Sequence, residues 1–324
     1  MRAVVCSAFG DPSVLTSAEI APPVVAPGRV LIRVRAAGVN FADQLLIAGK
    51  YQEKHEPPFV PGFEVAGEVL ECGDGVEGFA PGDRVMAMPG VGGWAELAVA
   101  DAADVLKIPD AMPFAEAAAF PVAYGTSHLG LLDRARLAPG EVLLVHGAAG
   151  GVGLTAVEVG KAAGALVIAT AGGPDKLAVA TRHGADHAID YKSEDVRTRV
   201  KELTGGRGVD VVYDPVGGAI FDASLRCTAP DGRILVVGFA SGTVPAPPAN
   251  VLLVKNLTVI GYWWGAYRKL RPQAVRDSLF ECLRWWEEGR LRPHVSQTLP
   301  LDRAAQALGL LKDRAATGKV VLIP

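Results

Sequence analysis

The stretch best suited to chemistry is a glycine cluster closing an apolar run, Val142-Leu-Leu-Val-His146-Gly-Ala-Ala-Gly150-Gly-Val-Gly153. An apolar strand, a glycine-rich turn and a helical pattern to about Ala163 together suit a dinucleotide pyrophosphate, because the N–H groups at the helix start point at the anion. Gly150 would let the backbone approach the phosphates and Gly153 would let helix and strand pack closely, with Ala149, Gly151 and Val152 completing the turn. The pattern is AxGxxG, with Ala148 where the first glycine usually stands. NAD sites carry an acid about 20 residues further on, for the ribose hydroxyls. Here that stretch reads Thr170-Ala-Gly-Gly173, without an acid, and Lys176 follows where a cation could pair with a 2′-phosphate. NADPH is therefore expected over NADH, although Asp175 could mimic the missing acid.

These residues need a scaffold. At 324 residues the chain predicts two cores rather than one. Its 32 Lys+Arg nearly balance 35 Asp+Glu, so no basic field attracts nucleic acid or an anionic membrane, and small molecules are the expected partners. Cys6, Cys72, Cys227 and Cys282 are too scattered for a disulfide framework, which predicts reduced thiols and a cytoplasmic protein. The first residues alternate like a strand instead of forming a signal peptide, and charge or glycine interrupts every apolar stretch before the roughly 20 residues a membrane span requires. Up to about Pro121, short apolar runs separated by Pro/Gly turns predict a β-rich domain. Beyond Pro139-Gly140, apolar strands at 141–145, 166–170, 209–213 and 234–237 alternate with helical stretches, which predicts a parallel sheet covered on both faces. An aromatic-rich helix at 274–288 precedes a last strand at 320–323.

Several motifs resemble those of the medium-chain dehydrogenase/reductase superfamily, and most of all its zinc-free quinone oxidoreductase branch. They are Gly38-Val-Asn40-Phe-Ala-Asp43, Pro61-Gly-Phe63-Glu64, Gly82-Asp-Arg84-Val, the turn at 147–153 and the closing Gly318-Lys-Val-Val-Leu-Ile-Pro324. The resemblance implies an α/β protein: a GroES-like β-rich catalytic domain at 1–121, a doubly wound Rossmann domain at 122–262, and a segment at 263–324 returning to the first, with the active site in the cleft between them. It also implies cofactor roles for Thr126 and for Gly238-Phe239 near the nicotinamide, and for Lys176, Tyr191 and Arg314 around the 2′-phosphate. The apolar run at 256–262 resembles the family's dimer-forming edge, so a homodimer is expected.

Zinc-containing relatives hold their metal with two cysteines and a histidine. Here Asn40 stands at the first cysteine position and Phe63 replaces the histidine, so no metal is expected; His183 and His187 are spaced i, i+4, but Gly184 breaks the helix between them. Without a metal to stabilise an alkoxide, activated acceptors such as quinones or α,β-unsaturated carbonyls fit better than alcohols. The expected donors to the developing oxyanion are Asn40 and Tyr51, with Asp43 orienting their loop. Enoyl-thioester reductases of the superfamily carry a tyrosine at the same offset, so Tyr51 does not separate the two substrate classes. Leu45 and Ile47 stand where quinone oxidoreductases often have tyrosine and arginine. An enoyl-thioester reductase and an NADPH-binding regulatory or interaction protein stay open as alternatives.

Overall fold

The structure, a computed structural model, describes residues 1–324. Two short strands, β1 (Arg2–Cys6) and β2 (Leu15–Glu19), pair antiparallel. The long strand β3 (Arg29–Val39) changes character along its length. Val30, Ile32 and Val34 alternate inward between exposed Arg33 and Arg35, and then every residue from Ala36 to Val39 is buried. The switch marks where helix cover begins on the second face. Helix α1 (Phe41–Ile47) follows β3 directly; β4 (Val65–Cys72), β5 (Arg84–Ala87), β6 (Leu97–Asp101) and β7 (Val105–Lys107) extend the antiparallel sheet; α2 (Phe114–Ala118) packs on β3 and β4.

After helix α3 (Pro121–His128), which continues as a π-helical stretch over Leu129–Arg134, the chain changes to strand–helix alternation. The elements are β8 (Val142–Val145), α4 (Gly151–Ala162), β9 (Leu166–Ala171), α5 (Pro174–Arg182), β10 (His187–Asp190), α6 (Val196–Leu203), β11 (Val209–Asp214), α7 (Ala219–Cys227), β12 (Thr228–Val236), α8 (Ala249–Lys255) and β13 (Thr258–Gly261). All six strands run parallel in the order β10-β9-β8-β11-β12-β13. The order reverses between β8 and β11, so the crevice beyond the carboxyl ends of these two strands is the topological switch point where open α/β sheets bind ligands. The core beneath it is built from Leu144, Ile168, Ile189, Val212, Phe221 and Ile234.

Helices α9 (Trp264–Leu270) and α10 (Pro272–Glu287) stay with this Rossmann unit, which spans Ala123–Arg292. Arg271 pairs with Asp133 at 2.7 and 3.0 Å, His128 Nδ1 lies 2.9 Å from Ser278 Oγ, and Val275, Leu279, Cys282, Leu283 and Trp285 are buried. The return to the first unit therefore comes at Pro293, later than the expected 263. It supplies β14 (Val295–Pro300), α11 (Ala304–Lys312) and β15 (Lys319–Ile323), and β15 pairs antiparallel with β3, Val320 opposite Val39. Leu308, Val320 and Leu322 thereby join Val30, Ile32, Val65 and Trp94 in one core.

Candidate active and cofactor sites

In the Rossmann unit, β8 delivers the chain to His146, which is wholly buried between two hydroxyls: Thr170 Oγ1 lies 2.9 Å from Nδ1 and Ser224 Oγ 2.8 Å from Nε2. Ser224 Oγ donates to the Ile220 carbonyl, so Nε2 must carry the proton and the Thr170 hydroxyl donates to Nδ1. Burial holds the imidazole pKa down to about 4, which keeps it neutral at pH 7. His146 is thus an uncharged pin for the turn that follows. Gly147 takes φ +59, the left-handed step that the AxGxxG pattern lacks at Ala148, and the buried Ala148 N–H donates to the Thr170 carbonyl at 3.0 Å. The missing first glycine is compensated one residue earlier.

The glycines at either side of the helix start have different reasons for being there. A Cβ on Gly153 would collide with the Gly147 carbonyl, so internal packing already requires that glycine. A Cβ on Gly150 would meet only that carbonyl, at 3.3 Å. Helix α4 has no side-chain cap, so the N–H groups of its first turn remain available to an anion. Beside the turn, Ser127 Oγ donates to the Val152 carbonyl at 2.9 Å and lies 3.1 Å from Tyr213 Oη, which pins α3, and with it the nearly buried Thr126, to the start of α4. Across the switch point, Asp214 Oδ1 accepts from the Val216 and Gly217 N–H groups, while the Asp214 and Pro215 carbonyls accept from Val237 and Ala240. Gly238-Phe239 is held between these two anchors.

Strand β9 ends at Ala171 with no acid, and Gly173 turns at φ +99 with its N–H donating to Asp190 Oδ1 at 3.1 Å. A Cβ on Gly172 would lie 2.8 Å from Tyr191 Oη and 2.9 Å from Lys192 Cε, so both side chains cross this glycine. Lys176, half-buried, stands in the first turn of α5 directly after Gly173. The structure thus gathers Tyr191 and a lysine that sequence reasoning passes over, Lys192, at the end of β9. Arg314 belongs to the other unit, exposed, with φ +54.

In the first unit, Asn40 starts α1, and its N–H donates to Asp43 Oδ2 at 2.8 Å. Asp43 is fully buried, and desolvation pushes its carboxyl up to about 8 against the opposing pull of the Asn40 and Gly62 N–H groups and of Lys319. The Asn40 side chain also bonds beyond its own helix. Its Nδ2 donates to Glu64 Oε1 at 2.8 Å, and its Oδ1 accepts from Lys319 Nζ at 2.5 Å. Lys319 also donates to Glu64 Oε1 at 2.7 Å and the Val39 carbonyl at 3.1 Å, and Glu64 Oε2 accepts from the Val122 N–H at 2.8 Å. Glu64 and Lys319 are both buried, and a Cβ on Gly38 would collide with Glu64 Oε1, which is why glycine precedes the Val-Asn pair. Tyr51 lies half-buried beyond α1, its ring 5.3 Å from that of Phe63 and tilted 54°. Neither Asn40 nor Phe63 offers a thiolate or imidazole, and no three His, Cys, Asp or Glu side chains gather as a metal-ligating group.

The zinc-binding dehydrogenase family matches residues 151–280 and the alcohol dehydrogenase GroES-like domain family residues 26–110. Over 323 residues the sequence is 41% identical to quinone oxidoreductase-like protein 2 homolog of Nematostella vectensis, covering 99% of this chain and 88% of that one. The chain belongs to the medium-chain dehydrogenase/reductase superfamily, in its quinone oxidoreductase branch. As a member of that superfamily it is an oxidoreductase by descent, with a GroES-like unit and a Rossmann unit. Among solved structures, Escherichia coli quinone oxidoreductase complexed with NADPH matches with TM-score 0.93 and 32% identity, covering 100% of both chains. The human synaptic vesicle membrane protein VAT-1 homolog is 32% identical over 100% of this chain and 86% of its own. No helix of this superfamily member is long and apolar enough to cross a membrane.

Proposed function

We propose that this chain reduces quinones or α,β-unsaturated carbonyls with NADPH, by hydride transfer without a metal. The observation that carries the reading is the pairing of an acid-free β9 end with an asparagine and a phenylalanine where zinc enzymes place ligands. The uncapped first turn of α4 fits the pyrophosphate, and the missing side chain at Gly150 allows its close approach. Lys176 and Tyr191, together with Arg314, are the residues proposed to bind the 2′-phosphate; Thr126, Gly238 and Phe239 are those proposed to line the nicotinamide. Bound NADPH supplies the hydride. The residues of the chain then stabilise the charge that hydride addition places on the acceptor's oxygen: Asn40 through its remaining Nδ2–H and Tyr51 through its hydroxyl, while solvent provides the proton that completes reduction. The same donors would serve an enoyl-thioester.

The test measures NADPH and NADH affinity, then turnover of a quinone, an enone and an enoyl-thioester. NADPH oxidation by the first two is expected. Turnover confined to the thioester would select the alternative reductase, and NADPH binding without turnover of any acceptor would select a regulatory or interaction role. We also propose a homodimer joined along β13, one of the two edges of the parallel sheet, because Leu253 and Val254 of the adjacent α8 are 76% and 77% exposed. Light scattering at micromolar concentration should give twice the chain mass, and a monomer would count against that interface.

A further inference from the structure

We propose that Lys319, acting with Glu64, is a positioning residue that fixes which way round the Asn40 amide sits, and so keeps one N–H aimed for a substrate oxygen. The inference rests on the reductase reading of Asn40 and adds to it the device that makes the asparagine usable.

A primary amide can rotate by half a turn and exchange its oxygen for its nitrogen at little steric cost. Here the two orientations differ sharply. As found, Oδ1 faces the Lys319 ammonium at 2.5 Å and Nδ2 faces Glu64 Oε1 at 2.8 Å. Turned over, the amide would set N–H donors against an ammonium that is itself only a donor, and an oxygen against a carboxylate that only accepts. Two full charges on opposite sides therefore vote for the same orientation. The three hydrogens of Lys319 are spent on Val39 O, Asn40 Oδ1 and Glu64 Oε1. Glu64 Oε2 is occupied by the Val122 N–H. Of the two Nδ2 hydrogens one goes to Glu64, and the second is left over. A cation on the amide oxygen also draws electron density from the nitrogen and strengthens that remaining donor.

Stability alone is a poor explanation of this cluster. A buried ion pair roughly breaks even against well-packed apolar residues, because both charges lose their hydration. Orientation is a different kind of gain, since a donor to a developing oxyanion contributes only when it is held in place before the reaction.

The experiment compares wild type, Lys319→Met and Lys319→Met/Glu64→Gln. The single variant leaves the Glu64 carboxylate without its counter-ion and should lose melting temperature; the double variant removes that charge and should regain it. Turnover of a quinone should fall about 10- to 100-fold in both, with NADPH affinity unchanged, because the amide loses both its orientation and the contacts that hold its N–H where the oxyanion develops. Recovery of turnover along with stability in the double variant would overturn the proposal. A second readout does not depend on activity. In wild type the two side-chain amide protons of Asn40 should exchange with solvent at clearly different rates, and the double variant should lose that difference; retention of it would also overturn the proposal. If wild type turns over no acceptor, the reductase reading fails and the exchange measurement alone decides the role of Lys319.

Discussion

In the Rossmann unit the pyrophosphate part of the candidate site is made of backbone, the turn at 147–153 and the open first turn of α4, beside loops held by the Asp214 carboxylate and by the Asp214 and Pro215 carbonyls. In the first unit it is made of side chains, with Asn40, Asp43, Glu64 and Lys319 buried in mutual contact. On the proposed function, the difference follows from what each would have to hold. A pyrophosphate carries its own charge and needs dipoles and space, which glycine provides. A neutral acceptor that becomes an anion only in the transition state needs a donor fixed beforehand, and buried charge can supply that rigidity. The two units should therefore fail in different ways, the first through chemistry and the second through shape.

The largest effect is expected at Tyr51. Tyr51→Phe should keep NADPH binding and melting temperature while turnover falls by about 10²–10³, the usual consequence of removing one donor to an oxyanion. Unchanged turnover on both quinone and enoyl-thioester would take Tyr51 out of the mechanism and leave Asn40 as the donor. Next is Lys176→Ala: a charge-assisted bond contributes roughly 1.5–3 kcal/mol, so NADPH affinity should drop about 10- to 150-fold while NADH affinity stays level. Equal weakening of both cofactors would refute the phosphate role.

Smaller, and aimed at shape, is the contrast between two glycines. Gly153→Ala should destabilise the fold by about 1–3 kcal/mol, because the new methyl meets a carbonyl that cannot retreat freely. Gly150→Ala, whose methyl meets the same carbonyl at 3.3 Å and not 2.1 Å, should lower melting by less and weaken NADPH more. Calorimetry and cofactor titration on the pair check this, and equal loss of stability in both would erase the distinction.

The effect that sharpens the contrast most is in pH. Asp43 titrates near 8 in the folded chain and near 3.8 unfolded, so its contribution to stability is complete below about pH 4 and is lost as pH rises through about 8. His128 and His146 are the reverse, depressed by burial to about 4 from about 6.5; their contribution is present above about pH 6.5 and lost as pH falls to about 4. Amide-exchange protection, corrected for intrinsic rates, should therefore weaken in the first unit between pH 6.5 and 8 and in the Rossmann unit between 6.5 and 4. Asp43→Asn should abolish the alkaline trend alone. An alkaline loss that persists in that variant would assign it to another group.

The sequence is read most easily where the code is local. Glycine spacing, one apolar strand and one helix lie within a dozen residues, and the parallel strands expected from apolar runs fold as β8, β9, β11 and β12. Beyond residue 139 two strands escape that reading, β10 (His187–Asp190) and β14 (Val295–Pro300), because both are half polar. The boundary at 263 fails for a related reason: the apolar face of α10 declares that it will be buried without declaring against what. Sequence also says nothing of the Asn40–Lys319 bond, since the partners are 279 residues apart and a lysine opening an apolar strand resembles a solvated end. Even the departure at Ala148 has its answer next door, in a positive φ at Gly147 that composition alone does not reveal.

The antiparallel pairing of β15 with β3 also sets the order in which the molecule can be made. A ribosome delivers Asn40, Glu64 and the whole of β3 long before the strand that completes them, and the entire Rossmann unit emerges in between. Translation at roughly 5–20 residues per second leaves that edge open, with a carboxylate lacking its counter-ion, for tens of seconds. Only the stretch Ala37–Val39 waits in this way, because β6 takes Arg29–Arg33 of the same strand soon after β3 is made.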